Sequence, residues 1–434
     1  MKNLKIKKTS FAAAKKLLSK TNSISRNSNV REAVQKIISD VKKNGDTALI
    51  KISNKIDNTK FNSISDASYN RTDFRKAYEK FDNETKKNLN YIKKRIINFH
   101  KLIKINDLKT KDDVFNILGQ IHKPINKIGI YAPGGKATYP SSILMTALIA
   151  SVAGCEEINL FFPSSSDDAR ELMLGTAHVA GIKHAYNFGG AHAIAAMAYG
   201  TKTITKLDKI FGPGNVYVAE AKRQVFGDVG IDSFAGPSEV LIISDKKKGF
   251  KKLAADLIAQ AEHGEDSKCV YIQIGKFGLD DMFKELNELV NSAPRNKTIK
   301  TALENNSMFV QVRNLKEAIF INNLISPEHL QIILKSFDKS LLKEFSAGAI
   351  FIGENNSAVL GDYAAGPSHV IPTNSSARFS SPVSVEDFLV RTSVSAINTL
   401  KDKSKYNELL DNSIFLAELE GLDNHANALK LRRK

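Results

Sequence analysis

The feature that most restricts how this chain can fold is an alternation of short β-type runs with helical patterns through its middle and later parts. Candidate strands are Glu157–Phe162, Ala185–Phe188, Lys209–Phe211, Val240–Ser244, Val270–Ile274 and Ala349–Ile352. Helical patterns such as Asp168–Ala180, Val216–Phe226 and Phe250–Glu262 fall between them. Strands that alternate with helices form α/β units around parallel sheet, and two such units are expected here. The chain's 434 residues are too many for one simple core, so two or three domains are predicted. The flanks differ. Val30–Ser53 and Thr72–His100 are charged and helical, with a helix end at Gly45, and the chain is helical again beyond Ser384, over Glu386–Thr392 and Tyr406–Leu431. The longest apolar run, Ile143–Ala153, falls short of the ~20 residues that cross a bilayer and reads as a buried helix.

Composition narrows the function classes. The net charge of +17 raises nucleic acid as a partner, but the lysines are scattered and no nucleic-acid motif occurs, so none is expected; a general richness in Lys, Asn and Ile accounts for the charge. The first 31 residues carry no Asp or Glu and resemble a transit peptide superficially. Transit peptides are Arg-rich, whereas Lys dominates here, and no apolar segment of secretory type follows. A basic arm packed on the body or on a partner subunit is the expectation, with Asn/Ser-rich Thr21–Asn29 its most flexible piece. The two cysteines, Cys155 and Cys269, lie in apolar stretches and form no CxxC pair. Buried thiols in a reducing cytoplasm are expected, and neither a disulfide framework nor a thiolate zinc site.

The polar motifs lie late in the chain. In Gln260-Ala-Glu-His263 the amide and imidazole are three apart and share a helix face, so they can converge on one metal ion. A solvated helix end before Gly264 is the alternative. Glu328-His329, behind Pro327 and ahead of an apolar run, pairs a carboxylate that could activate water with an imidazole of general-base strength. Alone, it could equally be a surface pair. Asp362 and His369 sit in a loop shaped by Gly361, Gly366 and Pro367. Glu420 and His425 are five apart, about 140° around a straight helix, and reach one point only if Gly421 interrupts it. Gln, His, Asp and His are a borderline N/O set suited to zinc with open positions. Gly134-Gly135, Gly189-Gly190 and Gly212-Pro213-Gly214-Asn215 could admit phosphate ahead of a helix at Val216, or could be ordinary tight turns.

Taken in order, these motifs resemble the histidinol dehydrogenase family from about Val30 to Arg432. The runs that carry the resemblance are YAPGGKATYPSSILM, FGPGNVYVAEAKRQVFGDVGIDSFAGPSEVLI, DLIAQAEHGEDS, SPEHLQI, GDYAAGPSHVIPT and LAELEGLDNHANALKLR. The resemblance implies NAD-dependent oxidation of L-histidinol to L-histidine with one Zn2+ per subunit. It implies Gln260, His263, Asp362 and His425 as zinc ligands and Glu328 and His329 as the acid–base pair. Ser238, His329, His369 and Glu420, with the metal ligands, would contact substrate, and Tyr131, His192 and Asn215 the cofactor. His192 stands where the family has Gln, which predicts altered cofactor affinity. Glu420 and His425 would enter the partner's site in a cytoplasmic homodimer with shared active sites and no membrane contact. The implied fold has two incomplete Rossmann-like domains, one inserted in the other. Residues 26–130 and 239–383 would form the first, carrying metal and catalytic residues, and 131–238 the second, binding NAD. An N-terminal arm (1–25) and a helical, dimer-crossing tail (384–434) would flank them. A relative acting on another small alcohol, such as a sulfonated diol, is the alternative that this resemblance leaves.

Overall fold

A computed structural model describes residues 4–19, 28–134, 138–164, 166–234, 236–397 and 401–433. The chain forms two compact units, Met1–Ile103 with Asn126–Asp387, and Lys104–Ile125 with Phe388–Lys434. The first unit is mixed α/β and contains two six-stranded sheets.

The first sheet has the spatial order Lys7–Ser10, Met308–Val312, Lys268–Ile274, Glu239–Ser244, His329–Ile333, Ala349–Ile352, with every pair parallel. Parallel strands covered on both faces read as continuous apolar runs, and Glu239–Ser244 is buried throughout. Val240 and Ile242 point to one face, where the helix Lys251–Ala261 adds Leu253 and Leu257. Leu241 and Ile243 point to the other, with Ala318 and Ile321 of Leu315–Ile325.

The second sheet runs Ser68–Asn70, His184–Tyr186, Glu157–Phe161, Lys127–Tyr131, Lys209–Phe211, Gly230–Ile231. Its first strand is antiparallel to its neighbour and the rest are parallel. The apolar run expected as a buried helix is the helix Pro140–Ala153, ended by left-handed Gly154. Both cysteines are buried, and neither is in a disulfide.

Several expected boundaries differ. The segment 26–130 is divided. Helix Ser28–Ile56, which leaves helical geometry at Gly45, buries Val34, Ile38, Val41, Leu49 and Ile52 against Ile194, Met197 and Val218, in the core that covers the second sheet, and Ser68–Asn70 joins that sheet. The apolar stripe of that helix therefore finds its core beside the second sheet, and 104–125 go to the other unit. The described part of the N-terminal arm packs on the body, one of the two arrangements expected, with Leu4 and Ile6 buried and Lys7–Ser10 the first sheet's edge strand. Most of Thr21–Asn29 lies outside the described residues. Thr72–His100 is two helices, Arg71–Glu79 and Asn83–Leu102, because Asp82 caps the second through the Thr85 N–H at 2.6 Å.

In the second unit, Leu389–Ala396, Ile117–Pro124 and Leu108–Thr110 form an antiparallel sheet in that order. Glu386–Thr392 is thus not helical as expected. Only a short 3-10 turn, Val385–Phe388, precedes the strand, which pairs with Ile117–Pro124 over its full length. Two helices follow, Lys403–Leu419 and Asp423–Lys430, packed through Leu410, Ile414, Ala417 and Ala426. Among the described residues no helix is long and apolar enough to cross a membrane.

Candidate active site

Edges of both sheets of the first unit meet at one cleft of about 380 Å³. The second sheet offers its carboxyl edge: Pro133 follows Lys127–Tyr131, and Pro213, Gly214 and Asn215 follow Lys209–Phe211. The first sheet offers its amino edge, with Ser238 before Glu239–Ser244 and Glu328 and His329 opening His329–Ile333. His263, Asp362 and His369 line the same space.

Parallel pairing sets His329 opposite Val240, which brings its Nδ1 to 3.1 Å from the Glu239 carbonyl oxygen. A carbonyl only accepts, so Nδ1 carries the proton and Nε2 keeps a bare lone pair. Nε2 is buried without a hydrogen-bond partner, 3.7 Å from Asp362 Oδ1. The Glu239 N–H donates to Glu328 Oε2 at 2.8 Å, so the main chain of one residue holds both members of the expected acid–base pair. Glu328 Oε2 lies 3.7 Å from His329 Nδ1. His369 repeats the imidazole arrangement, its Nδ1 2.8 Å from the Asp362 carbonyl oxygen.

Burial separates the proton affinities of these neighbours. It lowers the pKa of His329 and of His369 to about 4, leaving both rings neutral near pH 7. It pushes the Glu328 carboxyl well above its ordinary value, with the Glu239 and Asp362 carboxylates adding to the effect. Burial also raises Asp362 to about 7. His263 keeps a solvent-exposed side, yet the cleft walls desolvate its ring enough to lower its pKa.

Three of the four expected metal ligands come together. Gln260, His263 and Asp362 border one small hollow at the end of Lys251–Ala261. The Gln260 side-chain nitrogen is buried without a partner. Because the two ends of an amide are nearly equal in shape, a rotated Gln260 presents its oxygen to the same space. With one imidazole and one carboxylate beside it, this donor set fits a borderline divalent cation that takes a further ligand. Among the described residues no group of three or more His, Cys, Asp or Glu is placed to hold a metal ion. Glu420 and His425 belong to the second unit, where both are exposed and Gly421, at φ 72°, separates their helices.

Of the expected cofactor residues, Asn215 reaches the cleft, and its side-chain oxygen accepts from the Tyr217 and Val218 N–H groups at 3.0 and 3.1 Å. Tyr131 is buried behind the wall, its hydroxyl accepting from the Gly190 N–H at 3.1 Å. His192 is wholly buried, with Nε2 3.1 Å from Asp57 Oδ2, and does not line the cleft. Sequence reasoning missed Glu239 and Asp57. Glu239 acts through its main chain, which leaves no side-chain signal, and Asp57 is 135 residues from its partner.

The family model for histidinol dehydrogenase matches residues 20–433 of this chain. The histidinol dehydrogenase of Neisseria gonorrhoeae is 39% identical over 434 residues, 100% of both chains. That of Dechloromonas aromatica is 39% identical over 403 residues, 93% of this chain and 92% of its own. Among solved structures, the histidinol dehydrogenase of Elizabethkingia anophelis superposes with a TM-score of 0.91 at 31% identity, covering 100% of this chain and 99% of its own.

Proposed function

The chain belongs to the histidinol dehydrogenase family, and from that membership we propose that it oxidises L-histidinol through L-histidinal to L-histidine with NAD and one zinc ion per site. It is an oxidoreductase of histidine biosynthesis. The observation that carries the mechanism is His329, neutral, its Nδ1–H tied to Glu239 and its Nε2 bare in the cleft.

Gln260, His263 and Asp362 would hold the metal, with His425 of a partner subunit as the fourth protein ligand. When bound, zinc orients the substrate's nitrogens and the nicotinamide accepts hydride. His329 Nε2 takes the alcohol proton, which its tautomer allows without prior ionisation. Glu328 then removes a proton from the water that adds to the aldehyde, and its raised pKa makes its ionised form a strong base for a carboxylate. His329 serves again in the second oxidation. Ser238 and His369 contact substrate, as does Glu420 of the partner. Asn215 belongs to the cofactor side, which the second sheet's carboxyl edge supports, because open parallel sheets bind dinucleotides there. A homodimer is supported by Phe415, Leu416 and Leu419, large apolar side chains left exposed by the helix Lys403–Leu419. Buried cysteines suit a cytoplasmic setting.

The test is purified protein with NAD and L-histidinol, set against other amino alcohols and diols. Two equivalents of reduced cofactor per histidine are expected. Chelation should abolish turnover, and added zinc should restore it. Turnover of a diol in preference to histidinol, or full activity after metal removal, would overturn the proposal.

A further inference from the structure

In the cleft wall, at Asp232, begins a buried ion pair that the reaction scheme leaves unused. The helix Val216–Val225 buries Val218, Ala221 and Val225, and on the same stripe it also buries Lys222. The Lys222 ammonium pairs with the Asp232 carboxylate, and the two side chains are only 2% and 1% exposed. Desolvation makes such a pair weak evidence for stability. What the pair holds is more informative. Asp232 Oδ2 accepts from the Gly212 N–H at 2.7 Å, and Lys222 Nζ donates to the Gly212 carbonyl oxygen at 3.1 Å. Asp232 Oδ1 accepts from the Ser233 N–H at 2.6 Å.

Gly212 is itself tightly placed. Its φ is 111°, and a Cβ there would lie 2.0 Å from the Tyr131 carbonyl oxygen. Both main-chain polar groups of this glycine are therefore tied to charges, and hydrogen bonds to ionised partners are about twice as strong as neutral ones. The residues that it leads into, Pro213, Gly214 and Asn215, line the cleft together with Asp232 and Ser233. One ion pair thus fixes two cleft-lining segments.

We propose that Lys222 and Asp232 are positioning residues for the dinucleotide, clamping Gly212 so that the Pro213–Asn215 wall is preformed to receive it. The proposal rests on the reading of this wall as the cofactor side. The test is the calorimetric Kd for NAD of the zinc-loaded, full-length enzyme, with metal content, histidinol affinity and unfolding temperature measured beside it. The double variant Lys222→Met/Asp232→Leu replaces both charges with apolar groups, an exchange that is often neutral for stability. Here the Gly212 and Ser233 main chain also loses three hydrogen bonds, so the variant's unfolding temperature is expected to fall. Binding is measured well below that temperature, where the variant is expected to keep its metal and histidinol affinity. Its Kd for NAD is expected to rise at least about tenfold, as misplacement of a binding wall predicts. A purely structural role would leave NAD affinity intact under those conditions. A Kd within about twofold of wild type, a difference of under ~0.5 kcal/mol, overturns the clamp. If the double variant does not fold, Asp232→Asn decides by the same limit; it keeps an acceptor for the Gly212 N–H and removes the charge. Asn215→Ala separates the two readings. Weakened binding there with normal binding in the double variant overturns the clamp alone, and normal binding in both overturns the cofactor wall as well. Weakened binding in the double variant alone supports the clamp and removes only the direct role of Asn215.

Discussion

At the level of single residues, Glu328 and His329 occupy opposite ends of a proton-affinity scale set by burial, and the division of tasks proposed for them rests on that separation. Glu328→Gln is expected to slow oxidation of the aldehyde by about 10²–10³-fold while affecting oxidation of the alcohol much less. His329→Asn is expected to impair both. Half-reactions started separately from histidinol and from histidinal decide this, and equal losses for Glu328→Gln in the two would refute the division. His263, Glu328, His329, Asp362 and His369 at this cleft, and Gln260 at the hollow beside it, were legible in the sequence because each carries a polar side chain within a compact motif. The residue that orients two of them was not, since the contribution of Glu239 is an N–H and a carbonyl that any amino acid other than proline supplies. His192 was legible as a departure from the family, but the sequence did not tell that it is buried against Asp57. Gln at this position can still donate to Asp57. His192→Gln is therefore expected to fold normally and to change the Kd for NAD through the Gly189–Gly190 turn, without loss of metal. Metal loss with unchanged Kd in binding and metal analyses would show that His192 serves the other half of the site.

At the level of elements, local pattern was enough wherever a segment buries a continuous face, as in Asp167–Ala180 and Glu239–Ser244. It failed at Leu389–Ala396, whose side chains are largely exposed and whose strand character comes from Ile117–Pro124, remote in sequence. Interior chemistry within helices is also testable. His100, in the last turn of Asn83–Leu102, is 1% exposed and neither ring nitrogen has a hydrogen-bond partner. Burial lowers its pKa from 6.5 to about 4. The unfolded chain therefore binds the proton first, so the neutral ring's contribution is intact above 6.5 and is lost as pH falls towards 4. Replacing it with Phe keeps a ring beside Phe99 and removes the titration. Between about pH 7 and pH 5, wild type is expected to lose about 2 kcal/mol more unfolding free energy than His100→Phe. Parallel urea-unfolding curves across that range would show the ring to be accessible to protons in the folded state.

At the level of the whole molecule, the proposed active site draws on two chains, and inactive variants should therefore repair one another. His263→Ala coexpressed with His425→Ala gives mixed dimers in which one site collects both defects and the other has neither. Activity up to roughly half that of wild type per mixed dimer is expected if the sites act independently. Inactive mixed dimers would mean that each site is built within one chain. The two-sheet plan was visible in the strand–helix alternation, but the ownership of 28–103 was not, because an amphipathic helix shows which face it buries and not which core receives it. The edge strand Lys7–Ser10 has one further consequence, for synthesis. Its partner begins at Met308, about 300 residues later, and ribosomes add roughly 5–20 residues per second. Leu4 and Ile6, buried in the finished protein, emerge roughly 15–60 s before the sheet that covers them exists. During that interval the nascent chain presents an unsatisfied strand to other chains and to chaperones, so assembly of the first sheet has to wait until every strand of the second has been made.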